Sequence, residues 1–293
     1  MAEARPLGQR LRRWLDGARD LALHEAMRHL PTPMVSDIGA ALARRGATGR
    51  HRAKLERAEA ALARIRPELP ESGRRDMALR NFIGVGRAMA EFACMGRLWQ
   101  EGRIAVQGRD NIPGPNFVLA LLHLGNWEAM NAAVTGLGLR GRSIYQPPSS
   151  PVQHRIAQRA RRQAGNDAIQ ASVMAPRQAM RVLERGELVG IFLDEYKGGR
   201  VNAPRFGRPP GPGGNLALAA RLAARAGVPV VPAYTLRESG REAGPRFTAH
   251  FLPPLRMSGE LARDVAALEE FAERTIRAHV DQWFMLHVFR FDR

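Results

Sequence analysis

A histidine and a glutamate five residues apart, His123 and Glu128, form the spacing in this chain with the most direct chemical meaning. An imidazole can take a proton from a hydroxyl. A carboxylate on its other ring nitrogen fixes the tautomer and raises the basicity of the free one. On one helix the two side chains would point about 140° apart and could not meet. The local sequence avoids that arrangement. Residues 117–122 are an apolar run of strand character, Gly125 permits a tight turn, and Asn126 is a good N-cap for a helix that Trp127 and Glu128 begin. Such a turn lets Glu128 fold back and accept a hydrogen bond from His123. Two other His-x4-acid pairs, His51/Glu56 and His287/Asp292, follow no apolar strand run. Spacing alone leaves two readings of His123 open: a general base, or a hydrogen-bonded histidine at a strand end.

The elements that must position this pair lie in an alternating pattern. Short apolar runs at 104–106, 117–122, 143–145, 188–193, 228–234 and 247–252 read as strands. Helical patterns at 151–165, 175–185, 215–226 and 262–284 lie between or after them. Strands alternating with helices predict an α/β sheet, with ligands bound at the carboxyl ends of its strands. Residues 1–100 read as helical. Leu11, Trp14, Leu15, Ala18, Leu21 and Ala22 draw one apolar stripe, and Arg10, Arg12, Arg13 and Arg19 lie largely off it. That stripe suits a helix packed on the core or one lying in a membrane surface. Pro31 and Pro33 end it. Helices are expected over 53–65, closed by Pro67 and Pro70, and over 74–99. The expected division is an N-terminal helical, membrane-associating segment (1–100) and an α/β domain (101–293).

Composition removes several classes. The single cysteine, Cys94, excludes an internal disulfide framework and a cysteine-clustered metal site. No G-x-S-x-G elbow, P-loop or H-E-x-x-H occurs, and Gly84-Val85-Gly86 lacks the third glycine of a dinucleotide fingerprint and reads as helix packing. The longest apolar runs fall far short of the ~18–20 residues of a spanning helix. The net charge is +17, and only Lys54 and Lys197 are lysines, so arginine carries nearly all of the excess. Such a surface draws polyanions, whether nucleic acid, anionic lipid or acidic proteins. With aromatic residues at 6%, stacking platforms for nucleic acid are not favoured.

His123-Leu-Gly-Asn-Trp-Glu128 resembles the H-F-G-N-W-E motif of the lysophospholipid acyltransferase superfamily. Its nearest branch is the bacterial lipid A biosynthesis acyltransferases with the related phosphatidylinositol mannoside acyltransferases. Three further segments resemble that branch in the same order. Residues 188–194 match its strand ending in an acid. Phe206-Gly207-Arg208-Pro209-Pro210, with 216–232 after it, matches its F-G-x-P-A segment, helix and strand. Gln282-Trp283-Phe284-Met285-Leu286-His287 matches its Q-W-x-W-x-H signature. Two departures stand out: Gly211-Pro-Gly-Gly-Asn-Leu216 where the family has a Thr and Gly-Pro-Ala, and an N-terminus that is amphipathic rather than an apolar anchor.

The resemblance implies a mixed central sheet flanked by helices, of the glycerol-3-phosphate acyltransferase type, and acyl transfer from a thioester to a lipid hydroxyl. His123 would be the base and Glu128 its orienting partner, with Gly125 and Asn126 in the substrate-binding turn. Arg159 or Arg162, from a run with Arg155 and Arg161 that holds no acid, would face the oxyanion. Asp194 would bind the acceptor or a site water, or act only as a structural carboxylate at a strand end. Lys197, Arg200 and Arg208, with Arg205, would meet phosphates or form a solvated loop. No metal or bound cofactor is expected, and acyl-acyl carrier protein or acyl-CoA serves as co-substrate. The expected partners are the donor, a lipid acceptor and an anionic membrane surface, at the cytoplasmic face of a bacterial inner membrane, and not nucleic acid. The acceptor is a lipid A precursor, a phosphatidylinositol mannoside or another lysolipid. The rivals from other classes are a catalytically inactive lipid binder and a basic nucleic-acid-binding protein.

Overall fold

The computed structural model describes residues 7–148, 150–163, 167–197, 199–208, 213–239 and 244–291; of residues 7–16, 160 and 163 it describes the backbone alone. The side chains of Arg10, Leu11, Arg12, Arg13, Trp14 and Leu15, residues 209–212 and Asp292 therefore lie outside the described residues. In chain order the elements are α1 (Leu7–Arg28), α2 (Thr32–Ala47), α3 (Arg52–Ile65), α4 (Glu71–Glu91), β1 (Ile104–Gln107), β2 (Val118–Leu121), α5 (Glu128–Gly136), β3 (Gly141–Tyr145) and α6 (Pro151–Gln163). There follow β4 (Asp167–Gln170), α7 (Ala175–Glu184), β5 (Leu188–Phe192), β6 (Tyr196–Lys197), β7 (Arg200–Val201), α8 (Asn215–Ala226), β8 (Val230–Arg237), β9 (Phe247–Phe251) and α9 (Leu261–Ala278).

Among the described residues the central sheet has seven strands in the order β1-β9-β8-β2-β5-β3-β4, and β6 and β7 form a separate hairpin. The block β8, β2, β5, β3, β4 is parallel, while β9 runs antiparallel to β8 and pairs parallel with β1. This is the expected mixed α/β sheet flanked by helices. The central strands β2 and β5 are buried at every position, as parallel strands covered on both faces must be. Side chains alternate between two cores. Val118, Ala120 and Leu122 face one built with α3, α7, α8 and α9, whereas Leu119 and Leu121 face another built with α2, α4 and α5.

The N-terminal helices share both cores with the sheet. Asn81 of α4 donates to the carbonyls of Trp283 (2.8 Å) and Asp281 (3.2 Å), so the N-terminal helices also hold the C-terminal segment. Two elements differ from expectation. Helix α2 was hidden by Pro31 and Pro33, which precede and open it rather than only ending α1; proline is tolerated in a first helical turn because its missing N–H has no intrahelical partner there. Strand β4 carries one buried residue, Ile169, and gave no apolar run. The two longest expected helices are also shorter: α4 ends at Glu91, and α9 ends at Ala278, before 3-10 turns at Val280–Gln282 and Phe284–His287. Gly86 packs against α2, as a helix-packing glycine should, while nothing lies near Gly84. No helix among the described residues is long and apolar enough to cross a membrane.

Candidate active site

Strand register builds the centre of the site. β2 and β5 are parallel neighbours with Leu121 opposite Phe192. Two residues beyond each strand end, His123 and Asp194 therefore emerge side by side at the carboxyl edge. Asp194 is fully buried, and its Oδ1 lies 2.9 Å from His123 Nδ1. The same carboxylate accepts the His123 backbone N–H (3.0 Å to Oδ2) and the Trp283 indole N–H (2.8 Å). A carboxylate is an acceptor only, so Nδ1 carries the proton and Nε2 keeps its lone pair. The imidazole stacks on Phe192 with centroids 4.0 Å apart and meets the edge of Trp127 at 5.4 Å. Its side chain is 17% exposed, which leaves it within reach of a ligand.

Glu128 makes no hydrogen bond with His123; the carboxylate that bonds the imidazole is Asp194. The turn carries Glu128 into the protein, where it is 2% exposed and pairs with Arg161 (Nη2–Oε1 2.5 Å, Nε–Oε2 3.3 Å). Asn131 Nδ2 adds a third hydrogen bond at 2.7 Å. Arg161 lies 3.9 Å above the Tyr145 ring. Burial, the largest single influence, would lower the pKa of Arg161, but Glu128 and Tyr145 together outweigh it and the net shift is upward. One guanidinium nitrogen, Nη1, is buried without a hydrogen bond.

Neither arginine singled out by sequence, Arg159 or Arg162, is the one that pairs with Glu128. Arg159 pairs with Glu25 of α1 at 2.6 Å, and Arg162 is exposed. Helical phase explains it. Among the described side chains of α6 Ala157 is the buried one, and Arg161 follows it by about 40° around the axis, while Arg159 and Arg162 stand about 160° and 140° away. That phase was readable had Ala157 been taken as the inward face.

Gly125 has φ +56°, and a Cβ there would lie 2.6 Å from the Thr235 carbonyl, so the tight turn needs glycine. Asn126 does not cap α5. Its amide donates instead to Glu91 Oε2 (2.8 Å), and Glu91, fully buried, also takes Arg237 Nη2 on both oxygens (2.9 and 2.7 Å). A buried carboxylate needs such pairing; with Nδ2 held on Glu91, the oxygen that would cap the helix, Oδ1, is buried without a hydrogen-bond partner. Gln282 holds the turn from the other side. Its carbonyl accepts Gly125 N–H at 3.0 Å, and its amide bonds both backbone groups of Arg237. The segment 282–287 was therefore singled out by sequence without its structural task, which is to clamp the turn that carries His123. Glu91 and Arg237 were missed altogether, since nothing local marks a contact across 146 residues.

Lys197 and Arg200 are exposed on the β6–β7 hairpin. Arg200 borders a cavity of about 190 Å³ with Asn202, Arg205 and Asn215. Arg208 lines the same cavity, donates to the carbonyls of Arg205, Val201 and Pro204 at 2.9–3.0 Å and lies over the Phe289 ring, which fixes residues 201–205. Among the described residues no cluster of three or more metal-ligating side chains occurs.

A family model described as bacterial lipid A biosynthesis acyltransferase matches residues 2–291. Comparison with curated proteins gave no match.

Proposed function

The chain belongs to the bacterial lipid A biosynthesis acyltransferase family, and from that premise we propose that it moves a fatty acyl chain from a thioester to a glycolipid hydroxyl, with a lipid A precursor as acceptor. His123 Nε2 removes the hydroxyl proton as that oxygen attacks the thioester carbonyl. The tetrahedral intermediate collapses with cleavage of the C–S bond, and the imidazolium returns the proton to the departing thiolate. Asp194 holds the required tautomer and stabilises the imidazolium, as the third member of a triad does. No protein nucleophile enters. Cys94 is buried, and burial pushes its thiol up to about 12, far from a reactive thiolate. We assign the oxyanion to Arg161, whose buried Nη1 has no other partner, with Glu128 as the residue that positions it.

The observation that carries this reading is the 2.9 Å contact between His123 Nδ1 and a carboxylate buried beneath it. A lipid acceptor places the carboxyl edge of the sheet against a membrane, and Val173, Met174 and Tyr196 are exposed at that edge. The test is mass spectrometry of lipids from cells lacking the gene, complemented with wild type or His123→Ala. A lipid lighter by one acyl chain, restored by wild type alone, is expected. Restoration by His123→Ala would refute the mechanism.

A further inference from the structure

Phe284 touches two imidazoles. Its ring centroid lies 6.1 Å from that of His123 and 5.6 Å from that of His287. Only the first is used in the proton transfer proposed above. His287 is 9% exposed, and its Nδ1 is buried without a hydrogen bond. It sits against the first half of α3, where Arg57 Nε donates to its carbonyl at 3.3 Å. Lys54 stands about one turn before Arg57 on the same helix. His51 precedes that helix and makes no capping hydrogen bond, and the first turn holds no acid.

These groups repel one another. Burial lowers the pKa of Lys54, and Arg57 and Arg50 lower it further. Burial likewise lowers His51, with Lys54 and Arg50 adding to it. His287 is brought to about 4 by burial and then by Lys54, with smaller contributions from Arg57 and His51. No carboxylate is among the charged groups acting on any of the three. The nearest acids along α3 are engaged elsewhere: Glu56 pairs with Arg52 at 2.8 Å and Glu59 with Arg75 at 3.7 Å. Other inward-facing cations are treated differently, Arg161 being paired with Glu128 and Arg237 with Glu91. Lys54 and Arg57 are partly buried. Cations gathered away from water without a counter-charge cost free energy, and an arriving anion recovers it.

A phosphate group matches this set. It brings about two negative charges and three strong acceptor oxygens. An ammonium and a guanidinium fork donate to it, and the uncapped start of α3 adds the positive end of a helix dipole. Position says which molecule carries the phosphate. With one ring between them, His287 and His123 can face two groups of the same substrate. We propose that Lys54, Arg57 and His287, with the start of α3, hold a phosphate group of the acceptor lipid while its hydroxyl meets His123. This rests on the acyl-transfer reading above.

Binding separates the site from the reaction, because it needs no turnover. The full chain is titrated with inorganic phosphate by calorimetry, and circular dichroism checks the folding of each variant. Lys54→Glu should weaken phosphate binding at least tenfold, and Lys54→Arg should leave it within about threefold. Arg44→Glu, a like charge change at an exposed position of α2, should alter it less than twofold. His287→Ala should weaken it about threefold; if that variant does not fold, the Lys54 series decides. In turnover, Lys54→Gln should raise KM for a phosphorylated glycolipid acceptor about tenfold, with kcat and the KM for the acyl donor within twofold. The difference should vanish for the same acceptor treated with phosphatase, and inorganic phosphate should compete with the phosphorylated acceptor. No phosphate binding by wild type, or equal losses in Lys54→Glu and Arg44→Glu, would overturn the proposal. So would a raised KM for the donor instead, which would give the site to the donor's phosphate. Phosphate that binds without competing with the acceptor would make this a site for the free ion and would equally overturn it. Lys54-dependent phosphate binding without any acyl transfer would keep the anion site and discard the acyl-transfer reading.

Discussion

Two carboxylates near one histidine have been given different work, and their surroundings say which is which. Asp194 accepts three N–H groups, two of them from His123 itself, whereas Glu128 is used up by Arg161 and Asn131. Asp194→Asn keeps the shape but puts an amide against Nδ1. Where that amide donates, Nδ1 must accept, the proton moves to Nε2, and the base is lost. A fall in kcat of about 10²–10⁴-fold with KM little changed is expected from steady-state kinetics. Wild-type kcat in this variant would remove Asp194 from the mechanism. His123 could be read from the sequence because an apolar run, a glycine and an N-cap residue type surround it. Its true partner could not, because the contact depends on how β2 and β5 align across 71 residues. The i, i+5 spacing drew attention to Glu128, but its bond is to Arg161 of α6, which sequence proximity does not reveal.

The secondary elements were legible where burial and periodicity agree. β2 and β5 stood out as apolar runs, and α8 was legible at both ends because Gly227 stops it with φ +66°. β4 was hidden because a four-residue edge strand with one buried side chain leaves no pattern to find. Helix packing adds a constraint that propensity scales do not capture. At Gly86 in α4 an added Cβ would lie 2.3 Å from the Ala43 Cβ and 2.7 Å from the Gly39 carbonyl of α2. Alanine has the better helix propensity by about 1 kcal/mol, yet the clash with backbone wins. Gly86→Val should cost about 2–3 kcal/mol in urea unfolding. It should also impair turnover, because α4 carries Glu91 to the turn that follows His123. A variant as stable as wild type would mean that the two helices separate at no cost.

At the scale of the whole molecule, acid should weaken the fold before it touches the carboxylates. His287 is 9% exposed, and burial, with Lys54 nearby, depresses its pKa to about 4. The unfolded chain binds that proton near pH 6.5, so stability is complete above this value and falls as pH drops toward about 4. The loss from this one group between pH 7 and 5 is about 2 kcal/mol. His24, His51, His250 and His279 are also lowered, chiefly by burial, and act in the same direction. Urea midpoints at the two pH values should differ less for His287→Gln than for wild type; equal differences would show that His287 titrates normally. The clamp on the His123 turn has a consequence of another kind, in time. Leu124 bridges to Trp283, Gly125 bonds Gln282, and Asn126 reaches back to Glu91. Contacts this remote form late in folding, since the loops they close are long. Until residues 282 and 283 have docked, a folding chain therefore carries His123 on an unclamped turn.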